Sequence, residues 1–427
     1  MVSQKRLRRL CSASLRRDQS EDRTTETLRC QRPELGIQMT LESDRAMRVA
    51  VLTLALLTAV GAAQTPMQVP TFAVDAKWPK PLPNRWILGA VAGVHVDAND
   101  HVWIVHRPST LQPNETRSIW RAAPPVLEFD QAGNLLSSWG GPGDGYEWPD
   151  LEHGIYVERD TVWIGGGGEK DAQLLKFTRA GKFLLQIGHK GQNQGSNDTK
   201  NLGGAAGIEI DRAANELYVA DGYVNHRVIV FDATSGAYKR HWGAYGKRPD
   251  DSYFTQAGEK LPSPFSGAVQ NENRPSQYDP DGPPPPQFRI VHAARIAHDG
   301  LVYVCDRTND RIQVFRKDGT FVKEGFVAKR TFGSGSVWDV VFSTDPAQTF
   351  LIVNDGTNQQ IWILRRDTLE VVSAFGHAGH GAGEFYGAHV MASDSKGNLF
   401  IGETYEGKRI QKFVYRGLGP AQTPIVR

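Results

Sequence analysis

Short runs of alternating apolar and polar residues recur along most of the chain. Each series opens on a strand-like run, turns, and enters a second run that ends in a polar cluster. Two more such runs and a glycine-rich linker follow. The second runs are the clearest: His101-Val-Trp-Ile-Val, Thr161-Val-Trp-Ile-Gly, Glu216-Leu-Tyr-Val-Ala, Leu301-Val-Tyr-Val-Cys, Phe350-Leu-Ile-Val-Asn and Asn398-Leu-Phe-Ile-Gly. Alternation with period two between turn signals predicts β-strands. The first runs begin near Ala92, His153, Ala206, His292, Trp338 and His389, at spacings of 61, 53, 86, 46 and 51 residues. Six units of about four strands each predict an all-β six-bladed propeller with four antiparallel strands per blade. Thr71–Leu88, ahead of the first unit, is expected to supply a closing strand to the last blade, which would otherwise keep an open edge. The 86-residue spacing contains an insertion, residues 244–287, rich in Pro, Asp, Asn and Gln. It has no strand pattern and reads as a long loop.

The repeats resemble NHL repeats. The likeness rests on Asp221-Gly-Tyr-Val-Asn-His-Arg-Val228 and on Asp306-Arg-Thr-Asn-Asp-Arg-Ile312.

Composition changes the picture mainly at the N-terminus. Met47-Arg48, the apolar run Val49–Val60 and the small residues Gly61-Ala62-Ala63 read as a secretory signal peptide over 47–63, cut after Ala63. Residues 1–46 read as a polar, Arg-rich upstream segment, with Met47 an alternative start. The predicted location is secreted or periplasmic. Residues 1–63 hold 11 of the 49 basic and 7 of the 47 acidic residues, leaving 38 and 40. The expected mature chain is therefore nearly neutral, with no clustered basic face for nucleic acid. No run reaches the ~18 apolar residues that a membrane span needs. Cys305 is the one cysteine after residue 63, so no internal disulfide is expected there; it reads as a small buried hydrophobe.

Candidate chemistry follows from the meander. The start of a blade's first strand and the end of its second share one face of the propeller. At the first position the six blades carry Ala92, His153, Ala206, His292, Trp338 and His389. Histidine on alternate blades brings three imidazoles toward the axis, a ligand set suited to Zn²⁺ with an open position. The ends of second strands add His106-Arg107, Asp221-Gly222-Tyr223 and Asp306-Arg307. Arg107 and Arg307 are candidate carboxylate anchors, unless Arg307 pairs with Asp306 across its blade. Tyr223, beside a metal and two cations, is a candidate base with a lowered pKa.

Together these residues resemble the peptidyl-α-hydroxyglycine α-amidating lyase family, over about Phe72 to Phe413. The matching segments are Trp148-Pro-Asp-Leu-Glu-His153, Gln287-Phe-Arg-Ile-Val-His292 and Glu384-Phe-Tyr-Gly-Ala-His389, with Tyr223, Arg107 and Arg307 at the family's catalytic tyrosine and two arginines. The resemblance implies a six-bladed propeller holding zinc by His153, His292 and His389. It implies cleavage of a carbinolamide to an amide and glyoxylate, and a small-molecule or peptide substrate with a carboxylate. Val390 stands where the family has an acidic residue that helps bind a structural calcium, which argues against calcium here. The family's disulfide cysteines are absent, with Val224 at one position, and no copper monooxygenase domain is seen. The competing reading is a non-catalytic NHL propeller that binds a protein or glycan. A calcium-dependent lactonase-type propeller would need a carboxylate-rich centre, which Ala92, Ala206 and Trp338 do not provide.

Overall fold

A computed structural model describes residues 67–117, 119–253 and 279–422. The leader assigned to 1–63 and the middle of the 244–287 insertion lie outside the described residues. Strands pair into six four-stranded antiparallel sheets, each a meander in chain order except the last. The innermost strands are Ala90–Val96, Glu152–Glu158, Ala205–Asp211, Val291–Ile296, Asp339–Phe342 and Ala388–Ser393. This is the expected six-bladed propeller.

A closing strand is present, but it lies earlier than the expected Thr71–Leu88 and overlaps it only at residues 71–75. Gln68–Asp75 pairs antiparallel with Arg409–Pro420, so blade six joins both ends of the described propeller. Val69 and Phe72 carry this strand's apolar face onto blade five, where they meet Phe350, Ile363 and Phe375.

Most core clusters sit between neighbouring blades rather than within one. Trp103, Val105, Ile155 and Val157 pack blade one on blade two; Cys305, Val314, Val353 and Trp362 pack blade four on blade five. Cys305 is fully buried. Each blade therefore shields its neighbour's apolar face.

One excursion was not foreseen. Blade one does not pass directly from its second strand, Val102–Arg107, to its third, Val126–Phe129. Between them residues 108–125 loop out, and Arg121–Ala122 pairs in parallel with Trp86–Ile87. A two-residue strand leaves no periodic signal.

A recurrent bond fixes where five of the six blades, all but the fifth, enter the axis. The side chain at the end of the second strand accepts the backbone N–H of a residue just ahead of the first strand. Asp221 accepts from Gly203 at 2.7 Å, Asp306 from Arg289 at 2.7 Å and Glu403 from Tyr386 at 3.0 Å. In blade one His106 plays the part, its Nδ1 accepting from Gly89 at 3.1 Å. In blade two Asp171 takes the N–H groups of Asp150 and Leu151 at 2.8 and 3.0 Å. The repeat's acidic residues are thus structural. Arg227 and Arg311 neutralise Asp221 and Asp306 at 2.8 and 2.7 Å, all four side chains fully buried.

Candidate metal centre

His153, His292 and His389 each occupy the second position of an innermost strand, on blades two, four and six. Their ring centroids stand 5.0, 4.8 and 5.0 Å apart, a nearly equilateral triangle on the axis. All three are buried, and one nitrogen from each lies within 4.8 Å of the others.

The intervening blades orient these rings. His153 Nδ1 lies 2.7 Å from the carbonyl of Ala206 on blade three, His292 Nδ1 2.6 Å from Trp338 O at the start of blade five, and His389 Nδ1 3.2 Å from Val91 O on blade one. A carbonyl only accepts, so each Nδ1 carries the proton and each Nε2 keeps its lone pair. Metal-ligating histidines are ordinarily fixed in this way. Burial holds all three pKa values well below 6.5, reinforced by repulsion from the other imidazoles at His153 and His389 and by Arg307 and Arg107 at His292. The rings are neutral, as ligands must be.

Tyr223 stands against this triangle, its phenol oxygen 2.8 Å from His153 Nε2 and 3.0 Å from His292 Nε2. One hydroxyl proton faces two acceptor nitrogens, and His389 Nε2 has no hydrogen-bond partner among the described residues. Three converging lone pairs served by at most one donor fit a cation. Gly222 is what lets the chain pass here, because a Cβ would fall 2.1 Å from Val291 N, next to His292.

The two arginines flank the phenol, each tethered by Nε to a backbone carbonyl: Arg107 to Glu152 at 2.8 Å and Arg307 to Ser334 at 2.8 Å. Arg307 also hydrogen-bonds the Tyr223 hydroxyl. Arg307 does not pair with Asp306, which is bound to Arg311. Its guanidinium lies 3.5 Å from the centroid of the Trp338 ring, a cation–π stack. With no metal ion beside it, burial raises the pKa of Tyr223 and outweighs the two guanidiniums that pull it down.

Trp338 is the residue that sequence reasoning placed without giving it work. Its carbonyl holds His292 and its indole N–H donates to Gly335 O at 2.7 Å. Its ring lies 5.6 Å from His389, centroid to centroid, and 6.4 Å from half-exposed Tyr405 at the rim. The signal was available: it sits at the same repeat position as the histidines.

A second group, Asp97, His101 and Glu128, brings ligand atoms within 4.8 Å of one another. Arg179 already bridges Asp97 and Glu128 at 2.6 and 2.8 Å, so that cluster carries its own cation. Val390 is buried in an apolar cluster with Val91 and Val94 and offers no carboxylate next to His389.

Fold and site together define a six-bladed β-propeller with a three-histidine centre able to hold a metal ion. No known family profile matches the chain. It is 26% identical over 273 residues to the peptidyl-glycine alpha-amidating monooxygenase B of Xenopus laevis, covering 60% of this chain and 25% of that protein. It is 25% identical over 262 residues to the NHL repeat-containing protein 3 of Mus musculus, covering 59% and 58%. The chain thus spans about a quarter to somewhat over half the length of these relatives. Among solved structures, a catalytically inactive virginiamycin B lyase from Staphylococcus aureus with quinupristin aligns at a TM-score of 0.43 and 11% identity, over 82% of this chain and 89% of that one.

Proposed function

We propose that this protein is a zinc-dependent carbon–nitrogen lyase that splits an α-hydroxyglycine-type carbinolamide into an amide and glyoxylate. One observation carries the reading: the Tyr223 hydroxyl touches two metal-facing imidazole nitrogens while two tethered guanidiniums flank it. His153, His292 and His389 would hold the ion. Zinc there supplies a Lewis acid for the substrate hydroxyl oxygen and positive charge that favours the Tyr223 phenolate.

The chain's own groups supply the rest. Arg107 and Arg307 take the substrate carboxylate through their terminal N–H groups. Trp338 keeps the Arg307 plane fixed. The Tyr223 oxygen accepts the hydroxyl proton as the C–N bond breaks, the carbinol carbon becomes the aldehyde of glyoxylate, and a proton returns to the departing amide nitrogen. Burial of the centre excludes bulk water, which strengthens each of these charge interactions. The reading carries a secretory route with it, through the segment at 47–63. No helix among the described residues is long and apolar enough to cross a membrane.

The test is glyoxylate release from α-hydroxyhippurate by metal-free and zinc-loaded protein. Zinc-dependent release supports the lyase. Zinc binding without release leaves the metal centre and removes this substrate class. Neither zinc nor release favours the other reading, a propeller that binds a protein or glycan.

A further inference from the structure

The far end of the axis holds a second cavity. It has a volume of about 380 Å³ and is lined by the distal parts of the innermost strands of blades one, three, four, five and six. The histidine centre sits at the opposite ends of these strands, so the two sites do not share a wall residue. Val94, Val96, Ile296, Val340 and Met391 make its sides apolar. Three charged groups meet at its base. Arg295 binds Asp339 through two nitrogens, at 3.1 and 2.9 Å, and Asp339 also accepts from Met391 N at 3.0 Å. Glu209 is left with a single long contact, 3.5 Å from Arg295 NH1. The guanidinium is thus balanced by Asp339, and the next cation, Arg212, is held by Glu158 at 2.6 Å, so the base keeps one carboxylate more than it has guanidiniums.

Glu209 is about one-fifth exposed, with a side-chain accessibility of 19%, and lines the cavity. Burial lifts its pKa to about 7 against the pull of Arg295 and Arg212, so a cation seated beside it favours its charged form. Of the imidazoles on the same wall, His95 is held neutral, its pKa pushed down to about 3, chiefly by burial and next by Arg295.

This cavity opens into an apolar cleft of about 340 Å³ between blades five and six. Phe342, Ser343, Thr344 and Ser393 line both, and beyond them Phe72, Ile352, Leu399 and Tyr415 line the cleft alone. A charged base with a surplus carboxylate joined to an apolar cleft is complementary to one kind of molecule. We propose that this mouth of the propeller binds a single-chain organic ammonium ion, with the ammonium against Glu209 and the hydrocarbon chain between blades five and six.

The probe is decylammonium, measured by isothermal titration calorimetry on the whole protein beside decanol and decanoate of the same chain length. Decylammonium is expected to bind at least about tenfold more tightly than decanol, the lower end of what a charge-assisted hydrogen bond contributes. Decanoate should bind most weakly. Glu209→Gln should erase the preference for ammonium while leaving decanol binding and the thermal melt unchanged. Phe342→Ala should weaken decylammonium and decanol alike. Chelation of metal should change none of these values. Equal binding of ammonium and alcohol by the natural protein, no binding of either, or an ammonium preference that survives Glu209→Gln overturns the proposal.

Discussion

His153 is keyed to the blade that follows it by a 2.7 Å hydrogen bond from its Nδ1 to the carbonyl of Ala206. The same relation joins blade four to blade five and blade six to blade one. The metal-facing nitrogens are therefore set by backbone geometry, which a side-chain substitution elsewhere does not easily disturb.

Zinc content should follow the triad. Each of His153→Ala, His292→Ala and His389→Ala is expected to lose most bound zinc, read by elemental analysis after dialysis. The β circular dichroism should persist, because the blades pack through other residues. Full zinc occupancy in the triple variant would remove the assignment.

Tyr223→Phe separates chemistry from binding. The ring keeps its place against Gly167, where a Cβ would come within 3.1 Å of it and 3.0 Å of His153. Zinc content should stay the same while single-turnover glyoxylate release slows by roughly a hundredfold or more, as loss of a general base does. A rate within about threefold of the natural protein would mean that another group takes the proton.

Arg307 and Trp338 should behave as one unit. Arg307→Ala is expected to raise KM for the carboxylate substrate and lower kcat, since an anchor acts in ground and transition states. Trp338→Leu should produce a smaller change of the same kind, because its carbonyl still holds His292. Combined, the two should cost little more than Arg307→Ala alone. Additive effects in this double-mutant cycle would show that the 3.5 Å stack has no part in positioning.

The expected pH dependence has its source in Asp310. Burial raises its carboxyl to about 9, with Oδ1 accepting from Ser336 N at 2.8 Å and Oδ2 without a partner. An unfolded aspartate ionises near pH 4, so between about 4 and 9 the folded state holds the extra proton. Stability from this group is then present below pH 4 and is lost as pH rises toward 9, by at most about 1.4 kcal/mol per unit. Asp310→Asn should flatten the decline in urea midpoint across that range. An unchanged slope would assign the decline to other groups.

The closing strand should matter to the whole ring. Phe72→Ala removes a half-buried ring that lies 5.3 Å from Phe375, at a cost of about 2 kcal/mol, less than for a fully buried phenylalanine. Removing residues 1–75 should do more, exposing Arg409–Pro420 as a free edge. Gel filtration and thermal melting measure both effects. A truncated chain that stays monomeric with an unchanged melting temperature would show that blade six closes without this strand.

The blades were legible because each second strand repeats the same apolar alternation before a polar stop, and the triad because its histidines share one repeat position. Three features were not. The carbonyls of Ala206, Trp338 and Val91 belong to the backbone, and no side chain announces them. The stacking of Arg307 on Trp338 depends on how far the 3₁₀ turn Arg307–Asn309 swings the guanidinium from Asp306. The burial that raises the Tyr223 pKa in the metal-free site is the third, because the charged neighbours that pull it down can be read in a sequence and the depth of the ring cannot.

The alternation at the axis also bears on how such a ring can change its size. Odd blades present a carbonyl and even blades present an imidazole, so the building block of the centre is two blades long. Duplicating or deleting a single blade would set two donors or two acceptors side by side and break the circuit. A propeller of this kind can grow or shrink only in steps of two, which gives engineered four- or eight-bladed descendants a defined rule of assembly.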